Sequence, residues 1–216
     1  MQTQAMIRKF KNNDRSAVRR IAWETAFTNT RGKKVHFRDE EILADTLTIY
    51  HTDYEPESTF VATLDGEVVG YLTGAIDTVK ADKIFVLKII PGLFVKSIKK
   101  WVYGDKATLT FIASYLKGFL RGEFSSPHFS GEYPALMHIN VLERARGQKI
   151  GQSLIEHYFI YLKKKGVKGV QLGTMSQMAT IFFKKMGFKV LFEKKRPSLN
   201  YALGGNATYY ICGKKL

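Results

Sequence analysis

The chain has 216 residues, of which 45% are hydrophobic and 13% aromatic, a globular composition that suits one domain with a real core. Its formal net charge of +15 favours anionic partners: nucleic acid, an acidic membrane surface or phosphate-bearing small molecules. A solvated basic surface is the alternative. The single cysteine, Cys212, excludes an intrachain disulfide, and its place in TYYICGK predicts a buried structural thiol. The N-terminus lacks a signal-type apolar core and no apolar stretch is long enough to span a bilayer, so we expect a soluble, cytoplasmic protein.

The first part of the chain predicts two helices and a hairpin. AMIRKF is typical of a strand, and NNDRSAVRRIAWETAF of a helix with Asn13 and Asp14 as caps. A second helix ends at the turn-forming residues 55–58. TFVATLDGEVVGYLTGAI then predicts two strands that turn at Asp65-Gly66.

Residues 75–134 differ in character from the rest. IFVLKIIPGLFVKSIKKWVYG and ATLTFIASYLKGFLRG predict two helical pieces, and between residues 83 and 121 Asp105 stands against eight Lys or Arg. We interpret the segment as a basic, apolar helical insertion. It could border an acceptor pocket, form an oligomer interface or touch an acidic surface.

The second half alternates strands and helices. The strand ALMHINVL leads through ERARGQKIG into the helix QSLIEHYFIYLKKKG, and VKGVQLGT, QMATIFFKKMG, FKVLFEKK and ATYYICGKK continue as strand, helix, strand and strand. The order predicts a mixed α/β fold that forms a single domain over residues 1–216.

The junction between ALMHINVL and the following helix predicts an anion site. A turn into a helix exposes the free N–H groups of the first helical turn, and Arg146 and Lys149 add positive charge. We therefore expect a pyrophosphate-like ligand at residues 146–152. The spacing is neither that of a P-loop nor that of a Rossmann fingerprint. A loop that serves only folding and solubility is the alternative.

The run HINVLERARGQKIGQSLI resembles motif A of the GNAT family of N-acetyltransferases, [QR]-x-x-G-x-[GA], with Arg146 at its first position and Gly151 at its last. LGTMSQMATIFFKKMGFKVL is similar to the family's second cofactor segment. The resemblance implies the GNAT fold, a central mixed, twisted β-sheet flanked by helices. It also implies acetyl-CoA as cosubstrate, no metal, and cofactor contacts from Ile139, Asn140, Val141, Arg146, Gly147, Gln148, Lys149, Ile150, Gly151, Gln152, Ser176, Ala179, Phe182 and Phe183.

Three positions depart from the family pattern. Lys149 replaces a glycine, which is tolerable provided that Lys149 adopts a helical conformation and points its N–H at phosphate. Ser176 replaces an asparagine. Phe183 replaces a tyrosine that many members use to protonate the leaving thiolate. A thiolate needs little protonation, so turnover remains feasible; a GNAT-like module that binds CoA or a partner without catalysis is the alternative.

The implied reaction transfers an acetyl group to a primary amine by direct attack on the thioester, helped by a general base. His138 and Glu132 are the candidate bases, with His128 behind them; Tyr133, Tyr201 and Tyr209 could supply a phenol. We expect an amine-bearing small molecule or peptide as acceptor, no specific nucleic-acid binding, and possibly a homodimer. The identity of the acceptor stays open.

Overall fold

A computed structural model of the chain describes residues 5–26, 39–203 and 205–216. The strands are β1 (Met6–Lys9), β2 (Phe60–Leu64), β3 (Glu67–Ala75), β4 (Ala135–Val141), β5 (Gly169–Thr174), β6 (Lys189–Lys195) and β7 (Thr208–Lys215). The helices are α1 (Arg15–Thr25), α2 (Glu40–Ile49), α3 (Thr78–Ile84), α4 (Ile90–Lys99), α5 (Lys106–Leu120), α6 (Ile150–Lys164), α7 (Gln177–Lys185) and α8 (Asn200–Leu203).

The strands form one seven-stranded sheet in the order β1-β2-β3-β4-β5-β7-β6. Among the described strands β4 and β5 run parallel, and every other neighbouring pair is antiparallel. This arrangement confirms the expected mixed sheet flanked by helices. The crossover from β4 to β5 through α6 is the βαβ unit that a parallel pair requires.

Helices cover both faces of the sheet and bury its apolar side chains. α6 packs on one face, where Leu154 and Tyr158 are fully buried in the same cluster as Leu72 of β3. α1 packs on the opposite face through Val18 and Ile21. Because side chains alternate along a strand, neighbouring residues of β4 point towards these two different layers.

The predicted hairpin is confirmed, and the predicted cap of α1 is confirmed in its position but not in its side-chain bond. Asp65 and Gly66 both have positive φ, 51° and 82°, as a tight hairpin turn requires. Asp14 stands at the N-cap of α1 without a side-chain capping bond. Its carboxylate is instead held by Arg8 at 2.6 Å and by the N–H of Lys11 at 2.8 Å, because the guanidinium is the stronger partner.

Residues 76–134 connect β3 to β4 and are largely helical, as expected. The first piece begins earlier than predicted, at Thr78, because Asp77 caps α3 by accepting from the N–H of Lys80 at 3.0 Å. α3 continues into α4 through a π-turn at residues 85–89, and Trp101, with φ 50°, ends the run before α5. That this segment is an insertion into a single domain stays a prediction.

Within the described residues, none of the helices combines the length and apolar content that crossing a membrane requires. Cys212 is buried in β7 as a free thiol, and burial raises its pKa, which agrees with a structural role.

Candidate functional site

A wedge opens between the two central strands β4 and β5. They pair only over the first two residues of β4, Ala135 and Leu136. On its other side β4 stays paired with β3 as far as Val141. From Met137 onward, the edge of β4 that faces β5 has no strand partner in the described chain. Its N–H and C=O groups are therefore available to an extended ligand arm.

The chain turns from β4 into α6 at the open end of this wedge. Gly147 has a φ of 80°, and α6 begins at Ile150. Within the described part of the chain, no backbone acceptor bonds the N–H groups of residues 147–152. These donors and the positive end of the α6 dipole form a cradle for an anion, here called the N–H cradle. Its position is the one that the sequence predicts.

The side chains around the N–H cradle play different parts. Arg146 is exposed and donates from Nε to the carbonyl of Val141 at 3.3 Å, which holds its charge beside the cradle. Ile150 is buried in the core, and Gln152 donates to Glu156 one turn along α6 at 2.8 Å. Ile150 and Gln152 can therefore offer a ligand mainly their backbone N–H groups, whereas Arg146 also offers its guanidinium.

Lys149 occupies the N-cap of α6 in the left-handed region, with φ 59° and ψ 10°. The condition that this residue adopts an ordinary helical conformation is therefore not met. A residue with a β-carbon is strained there by about 1–2 kcal/mol, whereas glycine is not. The backbone of this turn thus has the shape that the usual glycine adopts freely, and Lys149 adds an exposed ammonium.

α7 lies beside the start of α6. Ser176 caps α7 by accepting from the N–H of Ala179 at 3.1 Å, the capping role expected of it. A β-carbon at Gly151 would lie 3.5 Å from the ring of Phe182, so this ring borders the first turn of α6. Ser176 is exposed and Ala179 half-buried, so both are accessible beside the wedge.

Phe183 is directed into the core instead. It is 4% exposed and makes edge contacts with Phe182 and Phe188, at ring distances of 5.3 Å and 5.6 Å. Its place among the cofactor contacts stays a prediction that this burial disfavours. No proton donor stands at this position, so any acid for a leaving thiolate must come from elsewhere.

Three polar side chains form a hydrogen-bonded network on the face of the sheet opposite α6. The side-chain amide of Asn140 donates to the Tyr71 hydroxyl at 2.8 Å and to Nε2 of His138 at 2.9 Å. Burial lowers the pKa of His138, so its imidazole is neutral at pH 7. With Nε2 accepting, the ring proton lies on Nδ1. The side chain of Asn140 is occupied by these two hydrogen bonds, and only its backbone lies on the open edge of β4.

His51, in the turn that follows α2, is a second imidazole on this face that sequence reasoning missed. It is buried, and its Nδ1 donates to the carbonyl of Gly74 at 2.8 Å. Burial, with a smaller contribution from the nearby His138, lowers its pKa to about 4, although the bond to Gly74 acts in the opposite direction. Nothing in the helical pattern around Tyr50 marks His51, since only the sheet brings it beside His138.

Glu132 lies outside this cluster. It precedes β4, its side chain is exposed, and its carboxylate pairs with Lys215 at 2.9 Å. The start of β5 packs against its backbone, because a β-carbon at Gly169 would overlap the carbonyl of Glu132. Glu132 therefore stands at the closed end of the wedge. Its role as a base stays a prediction that this position disfavours.

Tyr209 of β7 places a phenol at the open part of the wedge. A β-carbon at Gly173, which lies beyond the last residue of β5 that pairs with β4, would overlap the Tyr209 hydroxyl, so the glycine makes room for this group. The guanidinium of Arg196 lies 3.7 Å from the ring centre and fixes the ring from the other side. Burial raises the pKa of Tyr209 more than Arg196 lowers it, so the hydroxyl keeps its proton at neutral pH.

The described residues contain no cluster of His, Cys, Asp or Glu that could hold a metal ion. What they do contain is an open strand edge, an N–H cradle at its end, and a neutral imidazole with a phenol on the far face. Such an arrangement can hold an extended, anionic ligand and bring an acceptor to its reactive end from the other side.

Residues 106–190 match the family model described as "Acetyltransferase (GNAT) domain". No curated protein is significantly similar to the chain in sequence. Among solved structures, SsHAT is 21% identical with a TM-score of 0.67, and the alignment covers 98% of each chain.

Two other solved structures share the fold at lower identity. The ribosomal-protein-alanine N-acetyltransferase from Brucella melitensis is 18% identical with a TM-score of 0.57, over 98% of this chain and 99% of that one. The polyamine N-acetyltransferase from Drosophila melanogaster is 13% identical with a TM-score of 0.55, over 99% and 100%. Residues 106–190, which contain the wedge, therefore match a GNAT acetyltransferase domain, and the described chain shares the fold of these solved structures.

Proposed function

We propose that the protein binds acetyl-CoA in the wedge and transfers the acetyl group to a primary amine that attacks it directly. The observation that carries the proposal is the open edge of β4, which leads into the N–H cradle at residues 147–152. An extended amide-bearing arm fits the open edge, and a pyrophosphate fits the cradle.

The residues present fit this cosubstrate. N–H donors without a backbone acceptor can bind an anion, and the exposed charges of Arg146 and Lys149 flank them. Gly151 has no side chain between the helix start and an approaching phosphate. Acetyl-CoA, once bound, supplies the activated acetyl thioester. The chain's own residues must then admit the amine, take its proton and return a proton to the thiol.

His138 is the base that the geometry favours. It lies on the face of β4 opposite α6, its imidazole is neutral, and Asn140 fixes its ring. An amine that approaches β4 from this face comes close to the imidazole. Nε2 can accept the ammonium proton, directly or through one water, once the Asn140 amide releases its bond to that nitrogen.

Tyr209 is the acid that replaces the missing tyrosine at position 183. Its hydroxyl stands over Gly173 at the wedge and stays protonated at neutral pH. Donation to a thiolate is undemanding, because a thiol has a pKa near 8.5. The phenol would regain its proton from solvent after product release.

The acceptor class rests on the relatives. Of the proteins with this fold, one is named for a ribosomal-protein alanine and another for polyamines. Both acceptors present an amine, which supports an amine-bearing small molecule or peptide here. A module that binds CoA without turnover is the second candidate, favoured by Phe183 at the tyrosine position and by its burial.

Calorimetric titration with acetyl-CoA and with CoA tests the binding step. We expect binding in the sub-millimolar range, and we expect Arg146→Gln to weaken it about tenfold through the lost charge-assisted bond. Lys163→Gln removes the same charge from the other end of α6 and should leave affinity unchanged. Absence of binding to the unaltered protein would refute the proposal.

Thiol release with a panel of amines tests the chemistry. His138→Gln should lower kcat about 100-fold while the Kd for CoA stays the same. Tyr209→Phe should lower kcat about tenfold, and Tyr210→Phe on the neighbouring residue should not. Tight CoA binding without thiol release from any amine would favour the non-catalytic module. A lower CoA affinity with normal kcat would remove His138 from the mechanism.

A further inference from the structure

Large apolar side chains are exposed in one region of the protein above all. Most of those that the structure leaves in solvent lie between residues 79 and 120, on α3, α4 and α5. Trp101, between α4 and α5, is 76% exposed, and Leu120 is 78% exposed. A soluble monomer rarely leaves so many large apolar side chains of one segment uncovered, which favours a partner for this segment.

The run from the π-turn through α4 carries the first stripe of these side chains. Val86, Ile90, Phe94 and Ile98 follow one another at intervals of four residues and are all exposed. The other side of α4 is fixed to α2, where Lys96 pairs with Asp45 at 2.6 Å. The apolar stripe of α4 therefore cannot turn inward without breaking this ion pair.

α5 carries the second stripe. Leu109, Ile112, Leu116 and Phe119 are exposed at intervals of three and four residues. Beside them an open groove of about 430 Å³ is lined by Phe111, Ile112, Tyr115, Leu116, Phe119 and Phe124. α5 is held to the body on its other side, because a β-carbon at Gly118 would overlap the Ser198 hydroxyl.

Exposed cations accompany the two stripes. Lys83, Lys99, Lys106, Lys117 and Arg121 are exposed, and none of them forms an ion pair with a carboxylate among the described residues, although Arg121 and Lys117 lie close enough to Glu123 to lower its pKa. A partner for this surface must therefore accept apolar side chains and positive charge together. A second copy of the chain would bring its own cations to the contact and repel the first.

We propose that the helical segment from Thr78 to Arg121 docks on the surface of an anionic lipid bilayer. The apolar stripes would enter the boundary between headgroups and acyl chains, as amphipathic helices do, and the lysines would meet anionic headgroups. Trp101 has the amphipathic ring that favours this boundary. The proposal does not depend on acyl transfer and goes beyond it.

Co-sedimentation with vesicles tests the proposal. The unaltered protein should bind vesicles of phosphatidylcholine mixed with phosphatidylglycerol and should not bind phosphatidylcholine alone. Phe94→Ser with Ile98→Ser on α4, and Leu116→Ser with Phe119→Ser on α5, leave the charge unchanged and should each lower the partition coefficient at least about tenfold. Ile160→Ser, at an exposed position of α6, is the matched control and should bind as the unaltered protein does.

A charge-matched pair separates docking from mere attraction by net charge. Lys99→Glu with Lys106→Glu should lower binding at least about tenfold, whereas Lys163→Glu with Lys164→Glu should have a much smaller effect. Equal losses in both pairs would overturn the proposal. So would failure of the unaltered protein to bind anionic vesicles, or a dimer in light scattering that the serine variants convert to a monomer. Circular dichroism confirms that each variant is folded.

Discussion

α6 and α5 have the same length and nearly the same apolar spacing, but they orient their apolar faces in opposite ways. In α6, Leu154, Ile155 and Tyr158 are buried against the sheet. In α5, Leu109, Leu116 and Phe119 face solvent. The spacing of apolar residues along a helix therefore locates its apolar face but does not say what covers that face.

The connectivity of the two helices explains the difference. α6 links two parallel strands, so it has to cross back over the sheet and cover it. The helical segment links β3 and β4, which are antiparallel neighbours that a short turn could join. The sheet therefore does not need α4 and α5 as a cover, and their apolar faces are free for another surface.

Truncating one leucine in each helix should give the largest contrast. Leu154→Ala removes a fully buried side chain and should cost about 3 kcal/mol or more, because it leaves a cavity. Leu116→Ala removes one that is 58% exposed and should change the free energy of unfolding by less than about 0.5 kcal/mol. Urea unfolding measures both. Similar losses in the two variants would show that α5 is covered in solution.

Acidification should weaken the sheet region through His51. The pKa of His51 is about 4 in the folded protein and about 6.5 when unfolded, so only the unfolded chain gains this proton as the pH falls between these values. The loss should approach about 3 kcal/mol at pH 4, and none should arise above pH 7. His51→Gln should flatten the dependence of Tm on pH over that window. An unchanged slope would show that the imidazole is accessible to protons in the folded state.

The ion pairs that join the two regions should have an intermediate effect. Asp45 of α2 is buried and binds both Arg19 and Lys96, so Asp45→Asn leaves two cations poorly paired and should cost about 2 kcal/mol. Lys100 and Lys96 lower the pKa of Glu41 to about 2, but that carboxylate is exposed and solvent screens it. Glu41→Gln should therefore leave the urea midpoint unchanged. A larger loss of stability in Glu41→Gln than in Asp45→Asn would show that α4 is held to α2 mainly through Glu41.

Relief of strain at the N–H cradle should give the smallest effect, and it is stabilising. Lys149→Gly removes a β-carbon from the left-handed region and should raise stability by about 0.5–1 kcal/mol after the entropy of glycine is counted. Gln148→Gly, at a neighbouring residue without positive φ, should lower stability slightly. Thermal unfolding distinguishes the two. A loss of stability in Lys149→Gly would mean that the lysine side chain makes a compensating contact.

The N–H cradle could be predicted because its signals are local. Arg146, Gly147 and Gly151 stand within six residues of one another, so a strand, a turn and a helix start specify the cradle without long-range information. The side chains that meet on one face of the sheet could not be predicted from such local signals. His51 and His138 are brought together only by the register of β3 with β4.

The sequence by itself determined the order of the strands and the longer helices, the hairpin at Asp65-Gly66 and the turn before α6 at which we expect an anion. These depend on turn chemistry, capping and periodicity, which act over a few residues. Only the tertiary structure decided that Lys149 is left-handed, that Phe183 is buried, that Tyr209 stands at the wedge, and that α4 and α5 face outward. Such outcomes depend on which surfaces meet, and contacts between residues far apart in the chain settle that.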